Sequence, residues 1–370
     1  MLSNISADRR IFPRLPILLW AAPMLAMAEP LQLGEHPLCE ASAAVLVACP
    51  DAPQERCLLV GDNEERRSLF LFKIEDGEVQ REQQQVVQLD LDKNRELSDI
   101  EALTSLPGDE IGVFASHSRN TKCEAKKKRR RFGTISELKP ASTSVAMVKT
   151  KRLGCARLMD ACSGGDPLLA AVCVVIEGSE SRADVVEKGF EDESLDETTA
   201  KEQCNEVLPF NAEGAVNLAA DGQADVWIGL RAPLLSEHPT DLEKTDLAIL
   251  LHLKNLDAYL FDRVALLDMD GRGVRDLTVS DGSVWLIAGP PEDLPDGANV
   301  PFQLRRFDVA ALAQDDVIEP ELIDRDLPTS SEGLVILGGQ AIIVIDGDAG
   351  DDTAQCAKPS RIDIRPLAAH

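Results

Sequence analysis

One short plan recurs five times in this 370-residue chain, and repetition at that interval restricts the fold more than any other feature. Each copy opens on an acidic head, runs through a short apolar segment, turns tightly and continues as a second apolar segment. The heads are Glu40, Glu101, Glu213, Asp276 and Glu332, separated by 61, 112, 63 and 56 residues. Asp221-Gly222, Asp281-Gly282 and Gly338-Gly339 are the turn pairs that hairpins use where φ is positive. Val, Ile and Trp flank them, as strands prefer, and Trp227 and Trp285 fall at matching places in their second strands. A period above about 50 residues suits one four-stranded blade, so the spacing predicts an all-β, five-bladed β-propeller. The 112-residue gap is close to two periods, which leaves six blades as an alternative. A β-sandwich with chance likeness between hairpins is the rival fold.

Taken in order, residues 1–28 read as a secretory signal peptide. Arg9, Arg10 and Arg14 precede a short apolar core that ends in Ala26-Met27-Ala28. Pro16 and Pro23 break this core, which is too short to span a bilayer. Residues 29–370 are then expected to form one propeller domain, exported to the periplasm or beyond. Nothing later is long enough for a membrane helix. The chain carries 38 Lys+Arg against 64 Asp+Glu. So acidic a surface argues against nucleic acid as a partner and suits a soluble monomer.

All nine Cys follow the signal, and none forms a Cys-x-x-Cys zinc pattern. Export makes disulfides expected. Cys49 and Cys57 flank one loop and predict a bridge, whereas the other pairings stay open. Residues 156–211 break the repeat with several Cys and the acidic run EDESLDETTAKEQ. They read as a partly helical, Cys-rich insertion with an exposed acidic loop. The last copy has three strands after Glu332. Leu31 to Leu38 is the unassigned strand that would complete it beside Arg361 to Pro366 and close the ring.

SHSRN at 116–120, Gly-Leu-Arg-x-Pro at 229–233, GRGVRDL at 271–277, Ile-Ala-Gly-Pro at 287–290 and Ser-Glu-Gly-Leu at 331–334 stand in fixed relation to the heads. Together they resemble an exported bacterial family described only as domain of unknown function 3616, over nearly the whole mature chain. That family is loosely similar to calcium-dependent phytase-like and esterase-like propellers. The resemblance implies a propeller and no particular activity. Glu40-Ala41 departs from the family's usual Gly after the head.

Heads that open the innermost strands should converge at one mouth of the channel. Glu40, Glu101, Glu213, Asp276 and Glu332 would repel one another unless compensated. Two compensations are open. A hard cation such as calcium takes oxygen ligands of this kind. Alternatively Arg119, Arg231, Arg272 and Arg275, which lie in or beside the same motifs, pair with the carboxylates or clamp a small polar or anionic ligand. Three functions follow: a ligand- or cation-binding propeller, a metal-dependent phosphoesterase or esterase, and an interaction scaffold. Whether the chain is an enzyme is left open. His117 between Ser116 and Ser118 is the one weak catalytic candidate, and adjacent strand residues point to opposite faces. The chain has no Gly-x-Ser-x-Gly elbow, His-Glu-x-x-His pair or phosphate loop. The basic run KKKRRR at 126–131 reads as a solvated hairpin tip.

Overall fold

The structure, a computed structural model, describes residues 29–91, 96–139, 142–149, 167–219, 222–239, 241, 243–256, 260–294, 298, 300–314, 317–350 and 355–367. The expected signal, Cys155, Cys162 and the Asp221 half of one turn pair lie outside them.

Five four-stranded antiparallel blades surround one axis. Listed from the axis outward, blade 1 is Ala41–Cys49, Ala52–Asp62, Ser68–Glu75 and Gln85–Asp90. Blade 2 is Ile100–Ser105, Ile111–Ala115, Arg131–Ile135 and Ser142–Lys149. Blade 3 is Asn211–Asn217, Val226–Ala232, Thr245–Asn255 and Leu260–Leu267. Blade 4 is Gly273–Ser280, Ser283–Gly289, Phe302–Asp308 and Glu321–Leu327. Blade 5 takes three strands from the C-terminal end, Ser331–Leu337, Gln340–Ile345 and Arg361–Pro366, and its fourth, Leu31–Gln32, from the N-terminal end. The long gap therefore holds an insertion and not a sixth blade.

Each blade packs against its two neighbours, so inner strands are apolar on both faces and read as continuous runs. The core is accordingly divided among five interfaces. Ile100 and Val113 meet Val45 and Leu59 between blades 1 and 2, and Leu334 and Ile343 meet Ile287 and Leu304 between blades 4 and 5. The other three interfaces are built alike. Close approach at the axis explains the small residue after the head. A Cβ on Gly214 would sit 3.0 Å from Leu277 Cγ and 3.2 Å from the Asp276 carbonyl carbon, so blade 4 leaves no room for it.

The ring closes as the missing strand requires, over a shorter ladder than the sequence suggests. Leu31 pairs with Ile362 and Gln32 with Arg361. The chain turns away at Gly34, whose φ is +64°, and Leu33 and Leu38 bury instead between blades 5 and 1. A disulfide between Cys39 and Cys356 fastens the two ends, and the expected Cys49–Cys57 bridge is also formed.

Between blades 2 and 3 stand two helices, α1 (Pro167–Glu191) and α2 (Glu197–Val207). Leu168, Leu169, Val172 and Ile176 of α1 pack with Phe210 and Leu247 at the interface of blades 2 and 3. The run EDESLDETTAKEQ, expected to be a loose loop, forms the end of α1, a turn and most of α2. Asp196 caps α2 by accepting from Thr199 N at 2.8 Å, and Ala200 and Cys204 pack on Ala183 and Val186. The acidic residues of the run occupy the remaining, outward faces. Cys204 is bonded to Cys123 of blade 2.

The bridge at the ring junction should matter most. Cys39–Cys356 spans 317 positions and Cys49–Cys57 spans 8. In the chain-entropy picture, replacing the first pair with Ser costs on the order of 5 kcal/mol and the second about 2–3 kcal/mol. Urea denaturation of both double variants checks the order. Equal losses would show that closure does not depend on the junction bridge.

Candidate functional site at the channel mouth

The site begins with a defect that every blade repeats. Pairing of the first and second strands slips between Ala41 and Ala43, Ile100 and Ala102, Ala212 and Gly214, Val274 and Asp276, and Ser331 and Gly333. The residues passed over are Ser42, Glu101, Glu213, Arg275 and Glu332. A bulged residue leaves the ladder and its side chain is re-aimed; four blades so present a charged side chain at the mouth, while Ser42 of blade 1 donates to the Ile100 carbonyl of blade 2. Glu101, Glu213, Arg275 and Glu332 line one cavity of about 300 Å³.

A second set follows from the same register. Asp62, Ala115, Leu230, Ala288 and Ile345 pair with the residue just before each bulge. The next residues in the chain are Asn63, Ser116, Arg231, Gly289 and Asp346. Asn63, Arg231 and Asp346 line the same cavity. Gly289 leaves room for its neighbour, since a Cβ there would lie 2.9 Å from Arg275 Cγ.

This register corrects two expected heads. The bulge positions in blades 1 and 4 are Ser42 and Arg275, not Glu40 and Asp276. Asp276, one residue on from Arg275, turns to the other face of its strand, whereas Glu40 lies two residues before Ser42 and ahead of the first strand of blade 1. The Asp276 carboxylate accepts from Leu277 N at 2.7 Å and Leu334 N at 2.6 Å, tying blade 4 to blade 5. Burial holds its pKa well above the usual carboxylate range, against those two donors. Glu40 accepts from Ala349 N at 2.9 Å.

The arginines divide in two. Arg275 Nε lies 2.8 Å from Glu213 Oε2, an ion pair whose N–H is not aimed along the contact, and its Nη2 donates to Glu332. Blade 4 thus bridges blades 3 and 5. Arg231 lies 3.2 Å from Glu213 Oε1 and 2.7 Å from Asp293. Arg119 borders a neighbouring cavity, but its guanidinium is spent on α1. It contacts Glu180 at 3.0 Å and Glu187 at 2.9 Å, donates to Asp184, and donates to the Cys123 carbonyl at 2.7 Å. Positions 180, 184 and 187 share one helix face, so Arg119 holds the insertion in place. Arg272 lines neither cavity.

His117 also lines neither cavity. Burial, then Arg130, lowers its pKa to about 3, so it is neutral. Beside it, Asp99 accepts from Ser116 and from Ser118 at 3.0 Å and meets Arg129 at 3.0 Å. The two serines are thus engaged with Asp99.

Above the mouth opens a second cavity of about 790 Å³, which shares Glu101, Glu213 and Arg231 with the first. Its wall includes Lys201, Cys204 and Asn205 of α2. Asn205 exchanges two hydrogen bonds with the Asp293 backbone, at 3.0 and 2.7 Å, and so joins the insertion to blade 4. No sequence signal pointed to α2, Asn63, Asp293 or Asp346 as part of this basin.

Glu101 differs from its fellow carboxylates. It is 8% exposed, lines both cavities, and has neither a hydrogen bond nor an ion pair among the described residues. Burial raises its pKa well above the usual range, and Asp99, Glu213 and Glu332 add to this against Arg275. Among the described residues no three His, Cys, Asp or Glu are grouped so as to hold a metal ion. Compensation at the mouth is by guanidinium where it is present.

A family model described as a protein of unknown function (DUF3616) matches residues 52–333. No curated protein matches the chain. Among solved structures the chain is similar to a GH43 β-1,3-galactosidase with galactodeoxynojirimycin, at 9% identity and TM-score 0.44, covering 90% of this chain and 91% of that one. It is also similar to the Phanerochaete chrysosporium exo-β-1,3-galactanase with β-1,3-galactotriose, at 8% identity and TM-score 0.43, covering 90% and 63%. Pseudomonas fluorescens PhoX with vanadate matches at 11% identity and TM-score 0.24, covering 88% and 53%.

Two outcomes follow from the charges at the mouth. A buried acid whose folded pKa is raised binds more protons folded than unfolded, so its contribution to stability falls as pH rises from the ordinary carboxylate range to the raised value. Glu101→Gln should therefore raise the melting temperature at pH 7, and the gain should shrink toward pH 4. A lower melting temperature at pH 7 would contradict the unpaired state of Glu101. Because guanidinium groups compensate Glu213 and Glu332, melting in calcium and in chelator should coincide, whereas Arg275→Met should cost about 3–5 kcal/mol by leaving Glu332 uncompensated and Glu213 with Arg231 alone.

Proposed function

The chain belongs to the DUF3616 family of proteins of unknown function, and on that premise we propose that it is an exported, monomeric propeller that binds a small polar ligand in the basin over its channel mouth. One observation carries the reading. Glu101 is a buried carboxyl that lines both cavities and has no hydrogen bond or ion pair among the described residues. Leaving such a group unpaired costs free energy that a structural role would not repay, whereas a ligand that hydrogen-bonds it recovers the cost. A walled, concave basin with a few converging polar groups is the usual form of a small-molecule site.

Export is supported by the leader-like sequence of residues 1–28 and by three disulfides among the described residues. No helix among the described residues is long and apolar enough to cross a membrane. The hydrolytic alternative, with the head carboxylates on a metal and the arginines on an anion, is less favoured because Arg231 and Arg275 are paired with Glu213 and Glu332.

Thermal shift against a library of small polar metabolites tests the reading. A ligand at about 100 times its Kd stabilises by roughly 2.7 kcal/mol. At least one chemical class should raise the melting temperature of the parent by a few degrees and that of Glu101→Gln by much less. If no class separates the two proteins, the basin is not a ligand site.

A further inference from the structure

The two rings at the mouth are not evenly charged. Both guanidinium groups come from neighbouring blades, Arg231 from blade 3 and Arg275 from blade 4, and they answer Glu213 and Glu332. The other sector belongs to blades 5, 1 and 2, and its ring positions are Asp346, Asn63 and Glu101. All three line the inner cavity. Asp346 Oδ1 and Asn63 Oδ1 are buried without a hydrogen bond, and Glu101 has no partner among the described residues. Three blades in succession thus present acceptors that nothing answers, two of them on acids. The mouth donors without a hydrogen bond, Arg231 Nε and Arg275 Nε, belong to guanidinium groups already held by carboxylates, Glu213 and Asp293 for the first and Glu213 and Glu332 for the second.

We propose that this sector of the channel mouth binds a small organic cation, an ammonium or guanidinium group whose N–H donors reach Glu101, Asn63 and Asp346. The inference rests on the ligand-site reading above and names the class of ligand. A set whose unanswered atoms are acceptors calls for a donor, and two acids that form no ion pair among the described residues call for a positive one. The acids stand on separate blades and form no metal-ligand group. A head with several N–H groups spanning blades meets that spread better than a single small ion. The cavities, about 300 and 790 Å³, accommodate the rest of such a molecule.

Proton linkage is a second consequence. Glu101 faces Asp99, Glu213, Glu332 and Arg275, and burial leads the rise of its pKa. Asp346 is raised by burial and then by Glu332, Glu40 and Asp62. Both are protonated at low pH, so proton and cation compete, and affinity for the cation rises with pH.

Agmatine and n-butylammonium serve as probes, with 1,4-butanediol, butyrate, a neutral disaccharide and calcium as comparisons. Melting and titration calorimetry are run on the parent, Glu101→Gln and Asp346→Asn, with circular dichroism to confirm the fold. The cationic probes should stabilise the parent, bind at least about tenfold more weakly to each variant, and bind more tightly at pH 8 than at pH 5.5. If the disaccharide or butyrate binds and loses affinity in Glu101→Gln while the cations do not, the ligand site stands and the cation inference falls. Binding of calcium in place of the amines overturns it as well. If no probe separates parent from variants, the acceptors are satisfied by water and both readings fall.

Discussion

Closing five sheets around one axis forces five equivalent side chains together, and their charge has to be settled there. Here it is settled by Arg275. A bulge at the head of each inner strand passes over Ser42, Glu101, Glu213, Arg275 and Glu332. Arginine at one of these places reaches carboxylates in both adjoining blades, Glu213 on one side and Glu332 on the other. Buried like charges are tolerated only when compensated, so the packing of blades 3, 4 and 5 near the axis depends on this contact. Asp276, one residue on and facing the other way, adds a bond to Leu334 N across the same junction.

The compensation is local, and that gives the mouth its character. Arg231 reinforces Glu213 from the second strand of blade 3, while the atoms that blades 5 and 1 leave without a hydrogen bond in the inner cavity, Asp346 Oδ1 and Asn63 Oδ1, are acceptors. Perfect repetition would have given five identical positions and no direction. The two arginines break the symmetry, and a basin with one neutralised side and one acceptor side can orient an asymmetric ligand.

The insertion turns a shallow channel mouth into a basin. Arg119, buried among Glu180, Asp184 and Glu187, locks α1 onto blade 2. The Cys123–Cys204 bridge and the Asn205–Asp293 bonds then hold α2 over the opening, so one wall is carried by blade 2 and tied to blade 4. Of the acidic run that looks in sequence like a solvated loop, Asp196 caps α2, while the acids that pair with Arg119 lie earlier, on α1.

The blade count, the strand content, the closing strand and the Cys49–Cys57 bridge were legible in the sequence, because each follows from spacing along the chain. Short apolar runs and turn pairs mark strands, and a strand missing at one end must be found at the other. The family resemblance was legible in short motifs for the same reason. Which head faces the axis was not legible in blades 1 and 4. Where the bulge falls is not written in the local sequence, and only pairing with the second strand shows whether Ser42 or Glu40, Arg275 or Asp276, is the residue passed over. Arg119 likewise sits in a motif of the mouth and turns away from it, because its partners arrive from a helix more than 60 positions later. The sequence by itself determined the ring and the kind of residue gathered at its centre. Tertiary structure alone decided which acids pair with an arginine and which, like Glu101, have no ion pair among the described residues, since pairing across blades depends on distances between segments that spacing along the chain does not contain.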